Sequence, residues 1–96
     1  MKDITVIVFT MKGCGFCAEF RELLEENSID YIDKDIDENE DEYRHFIMIT
    51  GNASIPALLI IESEGDNHKP FFYAPDRDYE ELTDAINIIK RHMGKD

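Results

Sequence analysis

The sequence contains no tryptophan, only two cysteines and few positively charged side chains. Its 10 lysines and arginines are outnumbered by 22 aspartates and glutamates, so the formal net charge is −12. This charge argues against binding to nucleic acid or to an anionic membrane through bulk electrostatics. No apolar run approaches the roughly 20 residues of a membrane-spanning helix, and no signal-peptide cleavage site precedes the first strand-like run. We therefore expect a cytoplasmic protein that binds neither nucleic acid nor membrane.

Length and composition predict one globular domain that spans residues 1–96. Hydrophobic residues make up 43% of the chain and charged residues 33%, which is ordinary for a soluble globular protein. A chain of this length can bury a hydrophobic core without disulfides or metal ions to hold it together. Two cysteines in a cytoplasmic chain therefore favour a catalytic or metal-binding role over a structural bridge.

The two cysteines, Cys14 and Cys17, lie where a predicted strand ends and a predicted helix begins. Residues 4–9 form a continuous, β-branched apolar run that is typical of a buried strand. Residues 15–27 carry apolar side chains at helical spacing, with glutamates on the other faces. At such a junction the Cys-x-x-Cys spacing indicates thiol–disulfide chemistry.

Two other interpretations of the cysteine pair are weaker. A zinc site would need two further ligands, and His45, His68 and His92 lack the spacing of a ligand pair. These histidines have no evident partners in the sequence, so we expect them at the surface. A purely structural disulfide would close so short a loop that it would contribute little stability.

The rest of the chain alternates between further strands and helices, which gives the order β-α-β-α-β-β-α. The predicted segments are a weak strand at 29–36, a helix at about 39–50, a strand at 57–61, a turn over 62–69, a strand at 71–73 and a helix from about residue 78. Asn39 with Glu42 predicts a capping box for the second helix and Gly51 its end, and Glu81 stands at the capping-box position of the last helix. The order predicts an α/β fold whose first two strands are parallel and joined by a right-handed crossover.

This order of elements, the Cys-x-x-Cys junction and Ile55-Pro56 just before the third strand together resemble the thioredoxin fold. Within that fold the chain is most similar to the glutaredoxins, over essentially its whole length. Lys12 precedes the first cysteine as in many glutaredoxins, and the tryptophan that usually precedes the thioredoxin motif is absent. The resemblance implies a four-stranded mixed sheet flanked by three helices.

Two segments depart from the common glutaredoxin pattern. Most dithiol glutaredoxins carry Cys-Pro-Tyr-Cys, whereas Gly15 and Phe16 resemble the Cys-Gly-Phe-Ser motif of monothiol members, with the second cysteine kept. The glycine pair and paired aspartates that open the last helix in glutaredoxins are replaced here by Ala74-Pro75-Asp76-Arg77-Asp78. Those glycines allow close approach of glutathione, so the replacement alters half of the glutathione site.

Disulfide exchange requires a thiolate that attacks, a second thiol that resolves the mixed disulfide, and access for the substrate. Cys14 lies at the predicted helix N-terminus, where free N–H groups and the helix dipole favour an anion by ~0.3–1 kcal/mol, and by up to ~2 kcal/mol when partly buried. Lys12 adds a positive charge, which the net charge of −12 makes necessary. Cys17 lies one turn into the helix and should be more buried. We therefore assign Cys14 as the nucleophile and Cys17 as the resolving thiol.

The resemblance assigns further residues to the binding of glutathione or substrate: Lys12, Gly15, Phe16, Arg44, Ile55, Pro56, Asp76 and Arg77. It implies a cis bond between Ile55 and Pro56, which would turn the backbone of Ile55 toward the substrate. Lys12 and Arg44 are candidates for the glycyl carboxylate of glutathione, although each could also be a solvated surface residue. Phe16 is either an exposed contact surface for partners or part of the apolar stripe of its helix.

Three functional hypotheses follow from the residues and the resemblance. The first is an enzyme, a glutathione-linked thiol–disulfide oxidoreductase that reduces protein disulfides or glutathione mixed disulfides and has no other obligatory cofactor. The second is a thioredoxin-like electron donor recycled by a flavin-dependent thioredoxin reductase, motivated by Ala74-Pro75. The third is a glutathione-dependent [2Fe–2S] cluster scaffold, because Gly15 removes a proline that could obstruct a cluster. The expected partners are glutathione and disulfide-containing proteins, and the expected state is a monomer.

Overall fold

The computed structural model describes residues 3–94, so both ends of the predicted domain, residues 1–2 and 95–96, lie outside the described residues. The predicted order of elements is confirmed: β1 Asp3–Thr10, α1 Gly15–Glu26, β2 Ile32–Asp35, α2 Glu40–Thr50, β3 Ala57–Glu64, β4 Asn67–Tyr73 and α3 Leu82–His92. Across the described part of the chain, no helix has the length and apolar character needed to cross a membrane.

The four strands form one mixed sheet in the order β2-β1-β3-β4. Strand β1 pairs in parallel with β2, where Ile7 lies opposite Ile32, and antiparallel with β3, where Ile7 lies opposite Leu59. Strands β3 and β4 form an antiparallel hairpin. Because β1 lies inside the sheet, residues 6–10 are all buried, which explains the continuous apolar run in the sequence.

Successive side chains of β1 point to opposite faces of the sheet and enter two hydrophobic clusters. On one face Val8 belongs to a cluster with Phe20 of α1 and Ile89 of α3. On the other face Phe9 packs against Phe46 of α2, with ring centroids 5.5 Å apart. The apolar face of α1 therefore holds this helix on the sheet, which fixes its N-terminus beside the end of β1.

The hairpin of β3 and β4 is longer than predicted. Polar residues that were expected in a turn continue the ladder as far as the pair Glu64 and Asn67, and Gly65 and Asp66 alone form the turn. Gly65 has a φ of 61°, in the left-handed region that favours glycine. These strand ends are solvent-exposed, so they lack the apolar alternation by which a strand is recognised in a sequence.

The predicted C-terminal end of α2 is confirmed, whereas its predicted N-terminal capping box is not. Gly51 follows the helix with a φ of 69°, the left-handed conformation expected of a helix-ending glycine. The predicted capping box is wrong, because Asn39 Nδ2 donates to the carbonyl of Asp35 at 2.9 Å and Glu42 forms an ion pair with Lys34. Both side chains that were expected to cap the helix instead join it to β2.

Helix α3 begins at Leu82, one turn later than predicted. Glu81 is its N-cap residue and forms a capping box with Asp84, whose carboxylate accepts the N–H of Glu81 at 3.3 Å. The residues before it form a turn, in which the carboxylate of Asp78 accepts the N–H of Ala74 at 2.8 Å. The capping box is real, but Glu81 is its first residue and not its last.

The expectation that all histidines lie at the surface is wrong for His92, at the end of α3. Its Nδ1 is 2.5 Å from Glu62 of β3, and its Nε2 is 2.6 Å from the hydroxyl of Tyr73 in β4. Its ring also packs on Phe71, with centroids 4.7 Å apart. His92 thus fastens the C-terminal end of α3 to the hairpin.

Candidate active site

Cys14, the predicted nucleophile, is the N-cap residue of α1. Its Sγ accepts a hydrogen bond from the backbone N–H of Cys17 at 3.1 Å. The loop before it turns through Gly13, which has a φ of 79°, and the N–H of Cys14 donates to the carbonyl of Met11 at 3.3 Å. A sulfur at this position faces the free N–H groups of the first helical turn, where the helix dipole stabilises negative charge.

The two cysteines differ in exposure as predicted. Cys17 is fully buried, whereas Cys14 is half-buried. They are joined by a disulfide, and their Cα atoms are 5.2 Å apart. A substrate can therefore reach this disulfide at Cys14 and not at Cys17. Within residues 3–94, no three histidine, cysteine or acidic side chains are grouped so that they could hold a metal ion.

A groove of about 730 Å³ lies beside Phe16, the residue that directly precedes Cys17, and neither cysteine lines it. It lies between α1, the loop of residues 54–56 and the segment before α3. Four of the predicted binding residues line this groove: Phe16, Ile55, Pro56 and Asp76. Phe16 is 67% exposed, whereas Phe20 in the next turn of α1 is fully buried. Phe16 is therefore solvent-exposed and not part of the buried stripe of its helix.

The peptide bond between Ile55 and Pro56 is cis, as the resemblance implies. Pro56 is buried, and its carbonyl accepts a hydrogen bond from the hydroxyl of Tyr79 at 2.5 Å. The carbonyl of Tyr79 in turn accepts the N–H of Asp76 at 2.8 Å. Tyr79 thus joins two walls of the groove, the proline loop and the segment before α3.

Tyr79 is a buried link between two groove walls that was not predicted from the sequence. It is 5% exposed, and burial raises the pKa of its phenol, with the nearby carboxylate of Asp78 raising it further. The hydroxyl therefore stays neutral and able to donate at any ordinary working pH. Its partner Pro56 lies 23 residues away in the sequence. A local sequence pattern does not reveal a contact between residues so far apart. The segment that contains Tyr79 was instead predicted to be the first turn of a helix.

The glutaredoxin family model matches residues 6–63, which include both cysteines and the cis-proline. The chain belongs to the glutaredoxin family. Among solved structures, that of Trichomonas vaginalis thioredoxin is similar over 93% of this chain and 78% of that chain, with a TM-score of 0.62 and 22% sequence identity. This similarity shows a thioredoxin-like fold. No curated protein matches the sequence significantly.

Membership of the glutaredoxin family implies thiol–disulfide oxidoreductase activity, and the family generally uses glutathione and protein disulfides as partners. The cations that a glutathione site would employ lie outside the groove. Lys12 is exposed in the loop before Cys14. Arg44 is exposed on α2, 4.0 Å from Asp41, and Arg77 is 3.5 Å from Asp78.

Gly15, the remaining predicted binding residue, is the first residue of α1 and is exposed. A methyl group built on its Cα would meet nothing within 4 Å. A side chain at this position would therefore meet open space at its Cβ.

Replacing Tyr79 with phenylalanine should lower the free energy of unfolding by about 1–3 kcal/mol, because the buried carbonyl of Pro56 would lose its partner. Urea denaturation of the oxidised protein measures this loss. Tyr43 provides the matched control, since its hydroxyl also donates to a backbone carbonyl, that of Ala53 at 2.6 Å, but in an exposed position. Water can replace that bond in Tyr43→Phe, so an equal loss in both variants would contradict the larger contribution of the buried Tyr79 hydrogen bond.

Proposed function

We propose that the chain is a dithiol oxidoreductase that reduces protein disulfides, with Cys14 as the attacking thiol and Cys17 as the resolving thiol. The observation that carries this proposal is the position of Cys14 as a half-buried N-cap residue whose sulfur accepts the N–H of the fully buried Cys17. A thiolate is the nucleophile in disulfide exchange, and this position favours a thiolate.

The proposed reaction has two exchanges. The Cys14 thiolate attacks one sulfur of the substrate disulfide, a mixed disulfide forms, and the other substrate sulfur leaves as a thiolate that takes up a proton. The Cys17 thiolate then attacks the Cys14 sulfur and releases the second substrate thiol. Two electrons and two protons pass to the substrate, and the chain ends with the Cys14–Cys17 disulfide.

Two opposing effects act on the Cys14 thiolate in the first exchange: the overall charge of the chain disfavours it, and the N-terminus of α1 favours it. A net charge of −12 disfavours a further negative charge on the protein. The free N–H groups of α1 offset this by ~0.3–1 kcal/mol, and by up to ~2 kcal/mol in a partly buried position. Lys12, two residues before Cys14, supplies the nearest positive charge in the sequence.

A direct assay tests the proposed reaction. The reduced protein, freed of small thiols, is mixed with a protein that carries an accessible disulfide, such as insulin. We expect one substrate disulfide to be reduced for each pair of protein thiols lost. Failure to exchange faster than an equal concentration of free cysteine would contradict the proposal.

For the electron donor, the family supports glutathione, and one observation supports the second candidate, a flavin-dependent reductase. The groove beside the disulfide is lined by carboxylates, and no described residue that lines it is basic. Glutathione carries two carboxylates and one ammonium group and is therefore a net anion, so this groove disfavours it, whereas a reductase protein can present a complementary surface.

Salt dependence is expected to separate these two donors. We predict that reduction of the Cys14–Cys17 disulfide by glutathione becomes faster as salt screens the repulsion, and that a thioredoxin reductase with NADPH reduces it without glutathione. An uncharged thiol such as mercaptoethanol is the control and should show little salt dependence. A glutathione rate that falls with salt would instead indicate attraction to Lys12, Arg44 or Arg77 and favour glutathione as the donor.

A further inference from the structure

The groove beside the disulfide carries charge of one sign. Its charged lining residues are Glu19, Glu22 and Glu26 on α1 and Asp76, Glu80 and Glu81 before α3. The ion pairs that lysines and arginines form in the described part of the chain involve Asp33, Glu42, Asp41 and Asp78, none of which lines the groove. None of the six carboxylates of the groove forms an ion pair with a lysine or arginine of residues 3–94.

The same groove has an apolar lining in contact with solvent. Phe16, Leu23, Ile55, Pro56 and Leu82 contribute to it, and Phe16 is 67% exposed. Long cationic side chains suit such a surface, because lysine and arginine lay their aliphatic stems on apolar groups and keep their charged ends among polar ones. A volume of about 730 Å³ accommodates several side chains of an extended segment.

The position of the groove ties it to the proposed reaction. Phe16 stands between the two cysteines and lines the groove, and the cis-proline loop forms another wall. A polypeptide that lies in the groove would therefore bring residues next to its own disulfide within reach of Cys14. A second copy of this chain is a poor occupant, because its net charge of −12 would oppose six carboxylates.

We propose that the groove binds an extended, positively charged segment of the substrate protein, so that disulfides flanked by lysine or arginine are the preferred substrates. This inference rests on the proposed oxidoreductase function and names its substrate class. Two features carry it together, the charge complementarity of the six carboxylates and the apolar lining that includes Phe16, the residue next to Cys17.

Matched peptides test the substrate class. Three peptides of equal length with one disulfide each carry three lysines, three glutamines or three glutamates beside it, and kcat/KM is measured for each. We expect the lysine peptide to be reduced about tenfold faster than the glutamate peptide at low salt, with the glutamine peptide between them. The difference should shrink at about 1 M salt, where the screening length is only about 3 Å.

Charge reversal in the groove provides the decisive variant. In Glu22→Lys with Glu26→Lys, the preference for the lysine peptide should disappear or reverse. The matched control is Glu25→Lys with Asp30→Lys, which makes the same change of net charge at exposed residues outside the groove. The control should keep most of the preference for the lysine peptide, because the carboxylates of the groove create this preference and the net charge of the protein alone does not.

The outcomes separate this inference from the function on which it rests. Equal rates for the three peptides, or an equal loss of preference in both double variants, would overturn the groove as the binding surface while leaving the oxidoreductase intact. If the wild-type protein reduces none of the peptides, including the glutamine peptide, the proposed function itself fails, and this inference fails with it.

Discussion

Replacing Cys14 with serine should abolish protein disulfide reduction, lowering its rate by about a thousandfold or more. A serine hydroxyl is not ionised near neutral pH and cannot form the mixed disulfide. The fold should survive the change, because a hydroxyl can also accept the N–H of Cys17 as an N-cap group. The measurement is insulin reduction with the folded state of the variant checked by circular dichroism.

Cys17→Ser is the matched variant, since it makes the same change at the buried cysteine. It should retain the first exchange and lose the second, so that a mixed disulfide between Cys14 and the substrate accumulates. Non-reducing electrophoresis and mass spectrometry detect this covalent complex. The reverse pattern, an active Cys14→Ser and a Cys17→Ser that forms no complex, would exchange the two assigned roles.

The part of the site that the sequence predicts well is the part built from neighbouring residues. A central strand is buried on both faces, so residues 4–9 are continuously apolar, and a helix begins directly after the strand. Cys14 and Cys17 are therefore placed by local pattern alone. The cis-proline followed from the family resemblance, since most X–Pro bonds are trans.

The groove could not be predicted, because it is made by segments that are distant in the sequence. The glutamates of α1 have the pattern of an ordinary solvated helix face, and they line a cleft only because residues 75–83 pack opposite them. The late start of α3 is part of the same result. The capping signal at Glu81 is also compatible with a helix that begins at Asp78. In the structure, residues 76–79 instead form a turn, in which the hydroxyl of Tyr79 bonds to the distant carbonyl of Pro56.

Replacing Phe20 with alanine should have the largest effect on stability, lowering the free energy of unfolding by about 3–5 kcal/mol. Phe20 lies on α1, and its side chain is fully buried against the sheet and α3, in one cluster with Leu24 and Val8. Its removal leaves a cavity in the contact that holds the cysteine-bearing helix on the sheet. Urea denaturation of the oxidised protein measures the loss.

Phe16 is the matched control for Phe20, because it lies one turn away on the same helix but is 67% exposed. Phe16→Ala should change stability by no more than about 0.5 kcal/mol. If Phe20→Ala leaves too little folded protein to measure, Phe20→Leu creates a smaller cavity and should show a smaller loss in the same direction. Similar losses for Phe16→Ala and Phe20→Ala would mean that α1 is not anchored through Phe20. The expected contrast follows from the fold, since one aromatic ring holds the helix on the sheet and the other faces the groove beside the disulfide.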